Sequence, residues 1–360
     1  MPTAALVSYR LGGRDGVSIE AEKWRWALGE LGFAVSTVAG EGPVDHRIDG
    51  LAIDDEGPPD HEGLVAALDG VDLVVAENIC SLPLNPRASV AVARACRGRA
   101  AVLHHHDLPW QRPHLAQYAV ADDPAWRHVT GNEASRAELA ERGVAATTIY
   151  NTFDTHPERG DRERTRAGLE VGRDEVLVLQ PTRALPRKNV TGGIALAEAL
   201  GATYWLLGPA EDGFGPELER LLTTARCRVL HGPGETAARE RVEDAYAACD
   251  AVVLPSSVEG FGNPAVESAV HRKPLCIGPY PVARELAQFG FEWFALDEPG
   301  RLAQWLADPD DRLLEHNFGV ARRHFSLDDL PGRLRAVLAG LDPGLGLLGP
   351  SRGCDTGAAQ

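Results

Sequence analysis

Seven residues separate Glu259 from Glu267, and among them are Gly260, Phe261, Gly262, Asn263 and Pro264. Asn263 is a good N-cap and Pro264 suits the first helical position, so a helix is expected to begin here. Glu259 then lies in the preceding loop and Glu267 about one turn inside the helix. Glycines at 260 and 262 let backbone amides come close to a ligand, and a helix N-terminus favours an anion. A phosphate fits such a place. A carboxylate can accept from two neighbouring hydroxyls at once, so glutamates on both sides of a phosphate site suit a sugar and a ribose flanking a diphosphate. The same residues also fit a capped helix with two incidental surface glutamates.

Arg183 and Lys188 form a second pair, five positions apart in the run 181–189. Two such cations in one loop can converge on a diphosphate, arginine by its fork and lysine as a point charge. A solvated basic loop would look similar, but the chain has only three lysines, Lys23, Lys188 and Lys273, which argues against Lys188 as filler. His104, His105 and His106 precede Asp107. Strand alternation puts His104 and His106 on one face and His105 on the other. That stretch offers at most two converging ligands where zinc needs three or four, so no metal is expected. Trp110 and Arg112 follow in a loop that could floor an acceptor site or simply pack. The glycines at 12, 13 and 16 form a G-G-x-x-G loop that fits either a phosphate site or a tight turn. Asp308 and Asp310 match a D-x-D pattern but sit in a proline turn after a helix, and are read as a turn.

These residues need a scaffold, and the chain supplies a repeating one. Short apolar runs at 4–8, 71–76, 101–104, 128–130, 176–180, 204–207, 251–254 and 274–277 read as strands. Most are continuously apolar, as in parallel sheets covered on both faces. Amphipathic stretches at 18–31, 85–97, 134–142, 192–200, 216–225 and 240–248 read as helices between them, so the fold class is α/β. Ligands of open parallel sheets bind outside the carboxyl ends of the strands, and nearly all the residues above fall directly after an expected strand. A polar stretch at 151–174 breaks the alternation and marks a domain boundary. Domains are expected at 1–155 and 156–315, with helices at 316–340 packing back on the first and a tail without fixed structure at 341–360.

Composition narrows the partners. The 360 residues are 44% hydrophobic and 24% charged, enough for two cored domains. Net charge is -16, so nucleic acid and anionic lipid surfaces are poor partners. No apolar run of about 18 residues and no signal-peptide start appear, so stable membrane insertion is not expected and the location is read as cytoplasmic. Six scattered cysteines without a C-x-x-C pair read as reduced thiols.

The run from Glu259 to Glu267 resembles the E-x7-E element, and Arg183 with Lys188 the R-x4-K element, of retaining family 4 glycosyltransferases with the GT-B fold. The resemblance is strong over about residues 175–290. It implies two Rossmann-like domains whose parallel sheets face an interdomain cleft, with the nucleotide diphosphate sugar held mainly by the second. In that reading Arg183 and Lys188 neutralise the leaving diphosphate, Glu267 holds ribose hydroxyls and Glu259 contacts the transferred sugar. Gly260, Phe261, Gly262 and Asn263 complete the donor loop, although Pro264 lacks an N–H where the family more often has leucine. Gly16 would face the diphosphate from the first domain, and His106 would contact the donor sugar. The implied activity is metal-independent, retaining transfer to a hydroxyl of a small soluble acceptor, without a further cofactor. A nucleotide-sugar epimerase of the same architecture, or a silent sugar-nucleotide-binding protein, is the alternative.

Overall fold

The computed structural model describes residues 1–13, 15–232 and 241–341. Their chain divides into two compact units, Met1–Thr152 with the residues from Asp328 onward, and Phe153–Leu327. The strands of the first unit are β1 (Thr3–Arg10), β2 (Ala34–Glu41), β3 (His46–Arg47), β4 (Leu73–Glu77), β5 (Ala101–His105), β6 (Trp126–Thr130) and β7 (Ala146–Thr148). They pair in the order β3-β2-β1-β4-β5-β6-β7, parallel throughout. The second unit holds β8 (Leu177–Gln180), β9 (Thr203–Leu206), β10 (Val229–His231), β11 (Ala251–Leu254), β12 (Leu275–Ile277) and β13 (Phe294–Ala295). Its order is β10-β9-β8-β11-β12-β13, again parallel. Both are α/β units of the Rossmann-like, doubly wound kind. Strand order reverses between β1 and β4 in one unit and between β8 and β11 in the other, and that reversal opens a crevice for ligands at the carboxyl edge.

The central strands β4, β5, β8, β9 and β11 are buried at every position. Their Val, Leu and Ala side chains meet helices on both faces, around Val7, Leu64, Val74 and Leu103 in the first unit and Val178, Leu206, Val253 and Leu302 in the second. The helices begin where short polar side chains can accept from their free N–H groups. Asp15, Asp60, Asn85, Asn132 and Asp161 each do so.

Two expectations change, and a third lies outside the described residues. Asn263 does not cap its helix through the side chain: its own backbone is helical, and the helix Pro264–Val270 starts from the turn at Gly262, whose carbonyl accepts from Ala265 N. The helices expected together at 316–340 separate. Asp311–His324 stays in the second unit against Pro264–Val270, whereas Leu330–Leu338 packs on Gly16–Glu30 of the first. The tail expected at 341–360 lies outside the described residues beyond Leu341, as do residues 233–240.

Candidate functional site

In the second unit, the loops after β8 and β11 bring the two sequence motifs into contact. Gln180, at the end of β8, donates through Nε2 to the Lys188 carbonyl at 3.1 Å, and Tyr204 Oη donates to Gln180 Oε1 at 2.7 Å. Asn189 has a left-handed backbone (φ 49°), caps the helix Val190–Leu200 by accepting from Gly192 N, and donates to the Pro255 carbonyl at 3.1 Å. Ser257 N donates to the Arg187 carbonyl at 2.9 Å. The loops are stitched together through backbone groups, and that fixes where their side chains stand.

The outcome is a pair of opposite charges at the reversal between β8 and β11. Lys188 Nζ donates to Glu259 Oε1 at 2.5 Å and to Oε2 at 2.7 Å. Their side chains keep only 11% and 6% of their surface exposed. Burial lowers the Lys188 pKa; the Glu259 charge opposes this, while Arg187 and Arg183 add to it. The second cation on Glu259 is Arg187, at 3.1 Å, a residue the sequence reading passed over. Arg183 instead pairs with Glu211 at 2.5 Å. Arg183 and Lys188 are therefore held apart by separate carboxylates in this state. An anion drawn to Lys188 and Arg187 has to share them with Glu259.

Glu267 stands one turn into Pro264–Val270 and accepts from Tyr246 Oη at 2.8 Å. Tyr246 is fully buried, stacks on His271 with ring centres 4.5 Å apart, and is kept in its phenol form by burial and by the neighbouring Glu267 charge. Gly260 is half-buried in the same loop. The Phe261 ring is taken up by packing beside Phe153 and Phe325, so a ligand could meet this residue only through its backbone. Gly262 has φ 91°, and a Cβ there would sit 2.2 Å from Tyr280 Oη. That glycine is required by the fold itself.

In the first unit the residues after β1, β4 and β5 gather at its own reversal point. Gly16 opens the helix Gly16–Glu30 and is exposed, with open space where a Cβ would be. The capping residue Asp15 already accepts from Val17 N and Ser18 N at 3.1 and 3.2 Å and pairs with Arg10 at 3.2 Å. A carboxylate at this helix start opposes a phosphate, against the expectation for Gly16.

His104 and His106 share a face, as alternation requires, and both meet Glu77 at the end of β4. His104 Nδ1 and His106 Nε2 each lie 2.8 Å from Glu77 Oε2. His105 faces the other way, with Nε2 2.9 Å from His128 Nδ1, and His128 Nε2 lies 3.1 Å from Asp122. Glu77, His104 and His106 offer three donor atoms within 4.8 Å of one another. At 2.8 Å the three side chains are joined by hydrogen bonds.

Other candidates are structural. Trp110 Nε1 donates to Glu138 at 2.6 Å, and Arg142 covers its ring at 3.8 Å. Asp310 caps the helix Asp311–His324. A cavity of about 400 Å³ lined by Arg162, Asp250, Lys273 and Trp305 lies at the amino edge of the second sheet, opposite the ligand edge. No helix among the described residues is long and apolar enough to cross a membrane.

No family model matches the chain. It is 26% identical over 420 residues to mannosylglucosylglycerate synthase of Thermotoga maritima, covering 91% of this chain and 97% of the relative. The crystal structure of Anabaena Alr3699/HepE in complex with UDP-glucose matches 94% of this chain and all of that one, with a TM-score of 0.73 at 19% identity. Sucrose-phosphate synthase of Thermosynechococcus elongatus matches 95% of this chain and 99% of its own, with a TM-score of 0.72 at 15% identity. The fold is that of GT-B glycosyltransferases. These relatives fit the family 4 resemblance and support a sugar-transfer function.

Proposed function

We propose that the chain is a retaining, metal-independent glycosyltransferase that moves a hexosyl group from a nucleotide diphosphate sugar to a hydroxyl of a small soluble acceptor. The observation that carries this reading is the buried Lys188–Glu259 pair at the strand-order reversal, with Arg187 beside it and Glu267 in the first turn of the helix that follows. A diphosphate entering there meets the largely buried Lys188 with Arg187 beside it, and these cations stabilise the charge that grows on the departing oxygen. Glu259, loosened from Lys188 by that anion, becomes an acceptor for hydroxyls of the transferred sugar. Glu267, held on one oxygen by Tyr246, serves a ribose diol. The acceptor hydroxyl attacks the face the diphosphate leaves, and its proton passes to the departing phosphate oxygen. The products are a glycoside and a nucleoside diphosphate, and no side-chain base is needed.

The name of the Thermotoga maritima relative suggests glucosylglycerate as the first acceptor to try, and the ligand of the Anabaena structure suggests UDP-glucose among the first donors. The test incubates the protein with EDTA, a panel of nucleotide sugars and that acceptor, and follows nucleoside diphosphate release. Release that needs the acceptor and survives EDTA is expected. Epimerised donor without acceptor, or activity recovered only with manganese or magnesium, refutes the reading. A product of inverted anomeric configuration refutes retention.

A further inference from the structure

Glu77 ends β4 with no exposed surface and, among the described residues, no lysine or arginine partner. A carboxylate taken out of water in this way needs a compensating charge close by. Two imidazoles supply its hydrogen bonds, both on Oε2, and they are not equivalent. His104 is 1% exposed and stacks on Trp24 with ring centres 4.1 Å apart, which leaves it no room to move. His106 keeps 12% of its side chain exposed. Its backbone N–H is fixed as well, donating to Asn78 Oδ1 at 3.2 Å. The ring is bonded through Nε2, and Nδ1 on its other side makes no hydrogen bond among the described residues.

We propose that Glu77 is the positioning residue for His106: it grips Nε2 and holds the ring as an imidazolium whose Nδ1–H is offered to an oxygen of the bound sugar. The inference rests on the reading of His106 as a residue that touches the donor. The charges around the ring agree with it. Burial works against protonation, but the bond and charge of Glu77, with the charges of Glu20 and Asp107, raise the His106 pKa above its ordinary 6.5. His104, whose own pKa burial lowers, stays neutral and donates Nδ1–H to the same carboxylate. His104, whose ring centre lies 4.2 Å from that of His106, is the other titratable group that faces the ring. Glu77 and His106 then form one ion pair with the cation on the outer side.

Nuclear magnetic resonance of the full chain with 15N-labelled histidine tests the arrangement, with the His106 signals assigned by their loss in H106Q. Both ring nitrogens should remain protonated above pH 6.5 in the wild type. In E77Q, which keeps the shape and removes the charge, the titration midpoint should fall by at least one pH unit. An unmoved midpoint overturns the proposal. Should E77Q fail to fold, the wild-type midpoint decides alone, and a value below 6.5 overturns it. Turnover of UDP-glucose separates this from the reading beneath it. H106Q and E77Q should each lower kcat by roughly 10²-fold with KM for the donor little changed, the scale of losing one preorganised donor. The double variant should be no slower than H106Q. Losses that multiply overturn the role of Glu77, whereas normal turnover by H106Q removes His106 from the site and the proposal with it.

Discussion

Replacing Glu259 by glutamine strands the Lys188 ammonium among cations, and the resulting loss of stability should be lopsided. With the Glu259 charge gone, Lys188 remains largely buried and feels Arg187 and Arg183, both of which disfavour its charge. Removing one member of a buried pair costs about 3–5 kcal/mol when the survivor has no other counter-charge. Replacing Lys188 by methionine is milder, because Glu259 keeps Arg187 at 3.1 Å. Its cost should be about 1–3 kcal/mol, the scale of a lost charged hydrogen bond. The double variant K188M/E259Q should then lie within about 1 kcal/mol of K188M, since glutamine no longer leaves a buried ammonium unpaired. Urea unfolding of the four proteins at pH 7.5 measures all of this. A pH series adds a signed check. The folded-state pKa of Lys188 is below its ordinary 10.5, and E259Q removes the charge that raises it. A base with a depressed folded pKa gives stability that grows as pH rises toward the unfolded value, so the E259Q deficit should narrow from pH 7.5 to 10. Equal costs for the two single variants, or costs that add in the double, would refute the asymmetry and the geometry behind it.

Burial lowers the pKa of both His105 and His128, so the folded state disfavours their protonation and loses stability as pH falls below 6.5, by up to about 1.4 kcal/mol per pH unit for each group. Between pH 7 and 5 the unfolding free energy of H105L/H128L should therefore gain on the wild type, and a constant difference counts against this. Tyr246→Phe deletes only the hydroxyl on Glu267 and should weaken UDP binding about fivefold by calorimetry, the effect of roughly 1 kcal/mol. An unchanged Kd would separate Glu267 from the nucleotide. Gly262→Ala should destabilise the protein by about 2–4 kcal/mol through its left-handed backbone and the clash with Tyr280, and a wild-type Tm would contradict the close approach.

All eight strands expected from continuous apolar runs exist within a residue or two, because a strand buried on both faces is written in its own composition. The five that escaped notice are β2, β3, β7, β10 and β13, which lie at or next to sheet edges. They are covered in part or, in β3, not at all, so polar residues such as Ser36, Thr37 and Thr147 interrupt them. The contact between Lys188 and Glu259 could be anticipated from two motifs following neighbouring strands. Arg187 could not, since nothing in an Arg-Lys dipeptide tells which cation shares the carboxylate. Glu77 was hidden for another reason: it is a strand end like any other until the pairing of β4 with β5 sets it opposite His104. The capping carboxylate of Asp15 was in plain view, and its conflict with a phosphate at Gly16 is a matter of charge sign that the glycine pattern drew attention away from.

The first unit is discontinuous, with the whole of Phe153–Leu327 lying between Thr152 and the helix Leu330–Leu338 that packs on Gly16–Glu30. The second unit is an uninterrupted segment whose two ends are joined, Phe153 N donating to the Phe325 carbonyl and Leu327 N to the Phe153 carbonyl, each at 2.8 Å. On the ribosome this imposes an order. When Thr152 has emerged, all seven strands of the first sheet exist but the side of Gly16–Glu30 that receives the last helix is still bare. The inserted segment can close on itself as that helix emerges, and its joined ends then deliver Leu330–Leu338 from the point where the chain departed. The domain translated first is thus the last to be completed, and a ribosome stalled between residues 153 and 327 leaves an unfinished surface for chaperones to cover.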